Sequence, residues 1–259
     1  MIARLPSLIA LILTLAVGPG LPSNCTGCDF AGRNLRGANL ARGAYVGVDF
    51  ARTDLRDASL RGANLTGVDF TGADLRGADL HEANLTGVDL RDARLHGARF
   101  GGTNLTGANL RGALNGLDDA DLSGLFQRCT GCDARGADLH GRDLSGIAIV
   151  GSDLRESNAR GARFERADLQ GVDFVDADLR QADFRNARLC SQGNVDVDNV
   201  RFANEGRIRC ADFRGADLHG ADLRGALVCR NGHDPQECQP VDAATLRRGS
   251  DSNLDGAIL

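Results

Sequence analysis

Eight cysteines carry the most reactive chemistry in this chain: Cys25, Cys28, Cys129, Cys132, Cys190, Cys210, Cys229 and Cys238. They fall into four pairs close in sequence, and two pairs are spaced Cys-Thr-Gly-Cys, at 25–28 and 129–132. Four thiolates at that spacing would suit a zinc ion. A single Cys-x-x-Cys would suit thiol–disulfide exchange. His81, His96, His140, His219 and His233 add proton carriers and metal ligands. His233 shares the short Cys229–Cys238 segment with Asp234 and Glu237, three ligand types close together. Choosing among these chemistries requires knowing what positions the side chains.

The positioning element is a five-residue period, clearest over 63–80: Ala-Asn-Leu-Thr-Gly, Val-Asp-Phe-Thr-Gly, Ala-Asp-Leu-Arg-Gly, Ala-Asp-Leu. Each unit reads small, Asp or Asn, Leu or Phe, polar, usually Gly. With the Leu or Phe as its centre, the period runs from Phe30 to Leu110 without a slip, with Tyr45 among the centres. It resumes from Leu139 to Leu189 and again at Phe213, Leu218, Leu223 and Val228. A period of five is neither the 3.6 of a helix nor the 2 of a strand. It suits a coil in which each pentad makes one short side and a turn, with four sides closing after twenty residues. The centre and the small residue two before it then point inward, and the other three positions face water. Residues are 42% hydrophobic and 4% aromatic, with 34 Gly. That apolar content excludes disorder from low hydrophobicity.

The Ala-(Asp/Asn)-Leu-x-x pattern resembles the pentapeptide-repeat family, and it covers most of the chain after residue 24. The resemblance implies an all-β fold, a right-handed quadrilateral parallel β-helix of about nine coils stacked about 4.8 Å apart. Each coil buries its apolar faces only against its neighbours, so the ends need caps. Some members, the quinolone-resistance pentapeptide proteins, are dimeric DNA mimics that protect DNA gyrase and dimerise through a hydrophobic C-terminal cap. Ala257-Ile258-Leu259 is a thin counterpart of that cap.

Residues 1–24 depart from the period. Arg4, an apolar run from Leu8 to Val17 and the breaker Gly18-Pro19-Gly20 read as a secretory signal peptide, cleaved between Gly18 and Asn24. The run is short for a membrane span, so none is expected after cleavage. The expected location is periplasmic or extracellular in a bacterium, an oxidising setting that suits the cysteines. It also argues against a cytoplasmic gyrase as target. The first repeat block is 25–111, followed by a break at 112–128 that holds one isolated pentad around Leu122. The second block is 129–189. A Cys-bracketed loop at 190–210, a continuation at 211–228 and a C-terminal loop and cap at 229–259 complete the chain. Within the last, a short helix is expected at 239–250, with final pentads at Leu254 and Leu259. The second block copies the first at an offset of 104: Leu35 matches Leu139, Leu40 matches Leu144 and Asp49 matches Asp153.

The register now weighs the chemistry. Cys25 and Cys129 occupy centres, while Cys28 and Cys132 occupy the small inward position, so all four point into the core as buried thiols or local disulfides. The motifs lie several coils apart in a continuous solenoid, which excludes a shared zinc ion. Cys190–Cys210 is read as a disulfide closing its loop, and Cys229 with Cys238 as a second Cys-bracketed segment. His81, His96, His140 and His219 each follow a centre and face water. No metal or cofactor is assigned, and an axis packed with Leu, Phe and Ala leaves no catalytic pocket.

Residues twenty apart stack. Asp29, Asp49, Asp69 and Asp89 form one acidic column, and Asp133, Asp153 and Asp173 form its counterpart in the second block. Aspartate before the centre also serves the local turn through hydrogen bonds to the backbone. A second face mixes Arg36, Arg56 and Arg76 with Asp54 and Asp74. A neutral face carries Asn64, Asn84 and Asn104 with Thr66, Thr86 and Thr106. A net charge of -5 and a pI near 5.5 give no basis for direct nucleic-acid binding. The expectation is a non-catalytic exported scaffold or protein-binding solenoid of unknown partner. The alternatives are a gyrase-protecting DNA mimic and a structural component of the cell envelope.

Overall fold

The computed structural model describes residues 22–191, 211, 213, 216–229, 238–240 and 257–258. The signal-peptide reading therefore falls mainly outside the described residues. So do Cys210, the 192–210 loop, the His233-Asp234-Glu237 group, Leu254 and Leu259.

The backbone repeats in turns of twenty residues joined by parallel bridges. Four columns of bridges run along the stack, beginning Asp29↔Asp49, Asn34↔Asp54, Asn39↔Ser59 and Ala44↔Asn64. The four faces they define are named here first to fourth in that order. Hydrogen bonds link each turn to the next in a fixed pattern. Phe50 N–H donates to Asp69 O at 2.7 Å, while Asp69 N–H donates to Val48 O at 3.0 Å. Most sides contribute a single bridged residue. Longer pieces are β1 (Asn24–Thr26) paired with β2 (Ala44–Val46), and β3 (Arg188–Ser191), β4 (Leu227–Cys229) and β5 (Cys238–Pro240) in one three-stranded sheet. β5 runs antiparallel to β4 and sets the Cys238 backbone opposite Cys229. Where a helix was expected at 239–250, residues 239 and 240 are strand, and 241–250 lie outside the described residues.

The two inward positions fill the axis. Leu55, Leu60, Leu65, Phe70 and Leu75 are fully buried, as are Ala73 and Ala78 two residues before their centres. Identical residues meet across turns: Phe30 stacks on Phe50 at 5.3 Å and Phe50 on Phe70 at 5.4 Å. Phe164 on Phe184 at 5.1 Å repeats this in the second block. Fully burying one such ring stabilises by about 1.5–3 kcal/mol.

The break at 112–128 departs from the all-β expectation, for it contains the helix α1 (Asp119–Phe126). Asp118 caps it by accepting the Asp121 N–H at 2.8 Å. Leu122, Leu125 and Phe126, spaced three and four apart, are buried. Leu122 is thus a helix residue and no pentad centre, because the cap and the helical spacing outcompete the single five-residue match.

The helix replaces the second and third faces of one turn. The other two faces continue past it: Asn109 bridges Asp133, and Leu105 N–H donates to Arg128 O. Carboxylates of α1 satisfy backbone donors of the turns on either side. Asp121 accepts the Gly97 N–H at 3.1 Å and Asp119 the Asp143 N–H at 3.3 Å. Both bonds are exposed, so these two aspartates tie α1 to the adjoining turns at modest gain, about 0.5–1.5 kcal/mol each. The 104-residue offset is five turns of twenty plus the four residues that α1 absorbs.

Candidate binding faces

The acidic residues come together as one column. Bridges link Asp29, Asp49, Asp69, Asp89, Asn109, Asp133, Asp153 and Asp173 in unbroken succession. The two expected columns are one, with Asn109 at their junction. Every member uses its Oδ1 to accept the N–H two residues on: Ala51 to Asp49 at 2.8 Å, Thr71 to Asp69 at 2.8 Å, Arg155 to Asp153 at 3.1 Å. Each aspartate is thereby a turn cap, and much of its charge is spent on the backbone.

What differs along the column is the residue receiving that cap. At the first three turns it is Ala31, Ala51 or Thr71. At Asp89, Asp133 and Asp153 it is arginine, whose guanidinium folds back onto the same carboxylate, whereas Asn109 caps Arg111 and Asp173 caps Val175. Arg91 Nη2 lies 2.7 Å from Asp89 and Arg135 Nη2 2.6 Å from Asp133. Arg155 Nε also reaches Asp173 at 3.4 Å. Burial pushes the Asp89 and Asp133 carboxyls up, but hydrogen bonds from Arg91 and Arg135 outweigh it and hold both below the usual range. Among the described residues no ion pair is formed by Asp29, Asp49 or Asp69.

The second face is a mixed ladder, as expected. Arg56 pairs with Asp54 at 2.6 Å and reaches Asp74 at 3.8 Å, while Arg94 approaches Asp74 at 3.9 Å. The Arg56 hydrogen bond holds the Asp54 carboxyl down at about 2. On the third face His81 Nδ1 lies 2.7 Å from Asp79 Oδ1. Its ring packs against Gly101, where an added Cβ would come within 2.6 Å of it. His96, His140 and His219 are exposed and scattered over the surface.

The fourth face is a hydrogen-bonded side-chain ladder. Thr66 Oγ1 donates to Asn64 Oδ1 at 2.7 Å, and Asn84 Nδ2 donates to Thr66 Oγ1 at 3.0 Å. Thr86, Asn104 and Thr106 repeat the pattern.

Cys25 lies close to Cys28 and Cys129 to Cys132, with Cα–Cα separations of 5.9 and 5.6 Å, the range a disulfide takes. Cys129 and Cys132 are buried at 1%, whereas Cys25 and Cys28 at the end of the stack are partly open. Both motifs span the corner from the fourth face to the first, five turns or about 24 Å apart, too far to share a metal ion. Among the described residues no group of three or more His, Cys, Asp or Glu could hold a metal. Nor is any helix among them long and apolar enough to cross a membrane.

The Arg cover of the upper column was missed from sequence, although its signal, Asp-x-Arg at 89–91, 133–135 and 153–155, stands in the chain.

Comparison with known proteins agrees with the periodicity. The pentapeptide-repeat profile matches eight copies, over residues 46–81, 73–112, 149–186 and 208–227. A pentapeptide repeat protein from the Arabidopsis thaliana thylakoid lumen is 34% identical, over 43% of this chain and 80% of its own, with a TM-score of 0.32. HetL, a pentapeptide repeat protein involved in heterocyst differentiation regulation in the cyanobacterium Nostoc, is 27% identical over 78% of this chain and 86% of its own, with a TM-score of 0.29. Full-length QnrB1, a plasmid-mediated fluoroquinolone resistance protein, is 18% identical over 87% of this chain and 98% of its own, with a TM-score of 0.34. No curated protein sequence matches. The five-residue register, the eight matched copies and the identity to the Arabidopsis protein together assign this chain to the pentapeptide-repeat family.

Proposed function

We propose that this chain is a non-catalytic, exported binding solenoid that presents the lower part of its first face to a basic protein partner. The fold we infer is a right-handed quadrilateral β-helix of about nine coils; right-handed connection is the rule for parallel strands. The observation that carries the binding reading is the run of Asp29, Asp49 and Asp69, three carboxylates on successive turns, none of which caps an arginine or closes an ion pair. The ladder beneath fixes their spacing, so a partner meets a preorganised row of charge. Export rests on the 1–24 segment, and the close Cys25–Cys28 and Cys129–Cys132 pairs fit disulfides formed on that route.

The test is affinity capture from a periplasmic extract, comparing the native chain with the triple variant Asp29→Asn, Asp49→Asn, Asp69→Asn. Asparagine keeps the Oδ1 cap and removes the charge. Loss of a specific, salt-sensitive partner in the variant supports the reading, and equal capture by both proteins overturns it. N-terminal sequencing of the secreted protein checks export, with a mature start between residues 18 and 25 expected.

A DNA-mimic reading draws on the same column, now seen to be continuous. Arg91, Arg135 and Arg155 neutralise its upper part, which confines the phosphate-like run to three turns. A gyrase supercoiling and drug-protection assay separates the two readings.

A further inference from the structure

The fourth face is built differently from the other three. Its outermost column runs Thr26, Val46, Thr66, Thr86, Thr106 and Thr130, each carbonyl after the first accepting the N–H of a glycine one turn below. Every one of these side chains is β-branched and uncharged. Beside it stand Asn64, Asn84 and Asn104, continuing Asn24 and Ala44, with no charge before Arg128. The adjoining corner is glycine at every turn. An added Cβ at Gly67 or Gly87 would meet nothing within 4 Å, so that border is bare by composition rather than by crowding. Arg42 and Glu82 mark the opposite border.

We propose that this face binds ice. Its side chains form a two-dimensional lattice, about 4.8 Å along the stack and about 6.6 Å across the strand direction. The Asn–Thr hydrogen bonds fix the side chains, so their positions are held before any contact. Because the hydroxyls and amides largely satisfy one another, the face holds bulk water weakly. The threonine and valine methyls order the water above them. An ordered water layer repeating with a rigid lattice can merge with a growing ice front.

The alternatives fit less well. Six turns span about 24 Å, and a strip two columns wide falls well short of the roughly 800 Å² per partner that a stable protein interface uses. Nucleic acid and charged peptides find no charge on its first five turns, and Arg128 alone at the sixth. Saccharide stacking needs an exposed ring, and Tyr45, the aromatic on this face, is 1% exposed. A crystal surface asks only for flatness and repetition.

The experiment follows ice crystals in undercooled solutions of the purified full chain. Faceted crystals and arrest of growth below the melting point are expected. Thr86→Lys, in the middle of the face, abolishes both, while Thr86→Val, which keeps the methyls, retains most of the arrest. Ser145→Lys adds the same charge on the third face and changes nothing. Melting curves establish that each protein is folded. Round crystals with the folded native chain, or a Thr86→Lys variant as active as the native chain, overturn the proposal. The acidic first face is untouched by these variants, so this result is read independently of partner capture.

Discussion

Asp49 and Asp153 occupy equivalent places in the duplicated blocks and make the same hydrogen bond to the backbone, yet they meet solvent differently. Asp49 caps Ala51 and is left half-open, whereas Asp153 caps Arg155 and lies between the guanidiniums of Arg155 and Arg135. The difference arises at a single position per turn, the residue after the centre, since ladder, core and cap are shared. It teaches that in this column the aspartate serves the backbone, and the neighbouring position decides whether its charge is displayed or consumed.

The comparison is broken most directly by removing the carboxylate from each half. Asp153→Ala leaves the Arg155 N–H without its acceptor and takes one of two carboxylates from each of Arg155 and Arg135, and is expected to cost about 1.5–2 kcal/mol. Asp49→Ala loses only the cap, about 1 kcal/mol. Equal costs in urea denaturation would show that the arginines add nothing.

Acid separates the halves next. The carboxyls of Asp54, Asp89 and Asp133 have folded pKa values held below the ordinary range. The unfolded chain therefore takes up these protons first. Their stabilisation is fully present above about pH 4 and is lost as pH falls through the folded value, near 2 for Asp54. The melting temperature is expected to fall across that window. The fall should be shallower in a variant in which Arg91, Arg135 and Arg155 are replaced by Gln; an unchanged slope would place the acid sensitivity elsewhere.

Charge removal with the cap retained gives a smaller effect of opposite sign. Asp69→Asn relieves repulsion between neighbouring turns and is expected to stabilise by a few tenths of a kcal/mol at low salt, whereas Asp133→Asn destabilises by about 0.5–1 kcal/mol. Added salt narrows both differences. The smallest stability change converts one half into the other. Ala51→Arg sets a guanidinium over Asp49 and Asp69, adds about 0.5 kcal/mol, and removes capture of a basic partner. Retained capture would place the partner on another face.

The core and the faces were legible in the sequence because both follow one number. Leu65, Phe70 and Leu75 had to point inward once the period was five, and Asp29 had to stack below Asp49 once four sides closed a turn. Continuity across the break was not legible, because an offset of 104 is no multiple of twenty. Counting alone could not show that four residues vanish into α1. The helix signal was present in Asp118 and in the spacing of Leu122, Leu125 and Phe126, but the pentad match at Leu122 masked it. Arg155 covering Asp153 depends on a rotamer that folds back across its own side, which no period encodes.

The break has a consequence for how such a chain can grow. The turn containing α1 uses 24 residues between Asn109 and Asp133, and the next excursion places 39 between Asp178 and Asp217, yet both return to the same columns. Insert length is thus decoupled from phase, provided the insert leaves and re-enters through a corner and its ends are met by suitable caps. A foreign peptide spliced at such a corner should hang from the rod without disturbing it. The solenoid can then be read as a ruler with mounting points, on which duplication sets the length and corner insertions supply the individuality.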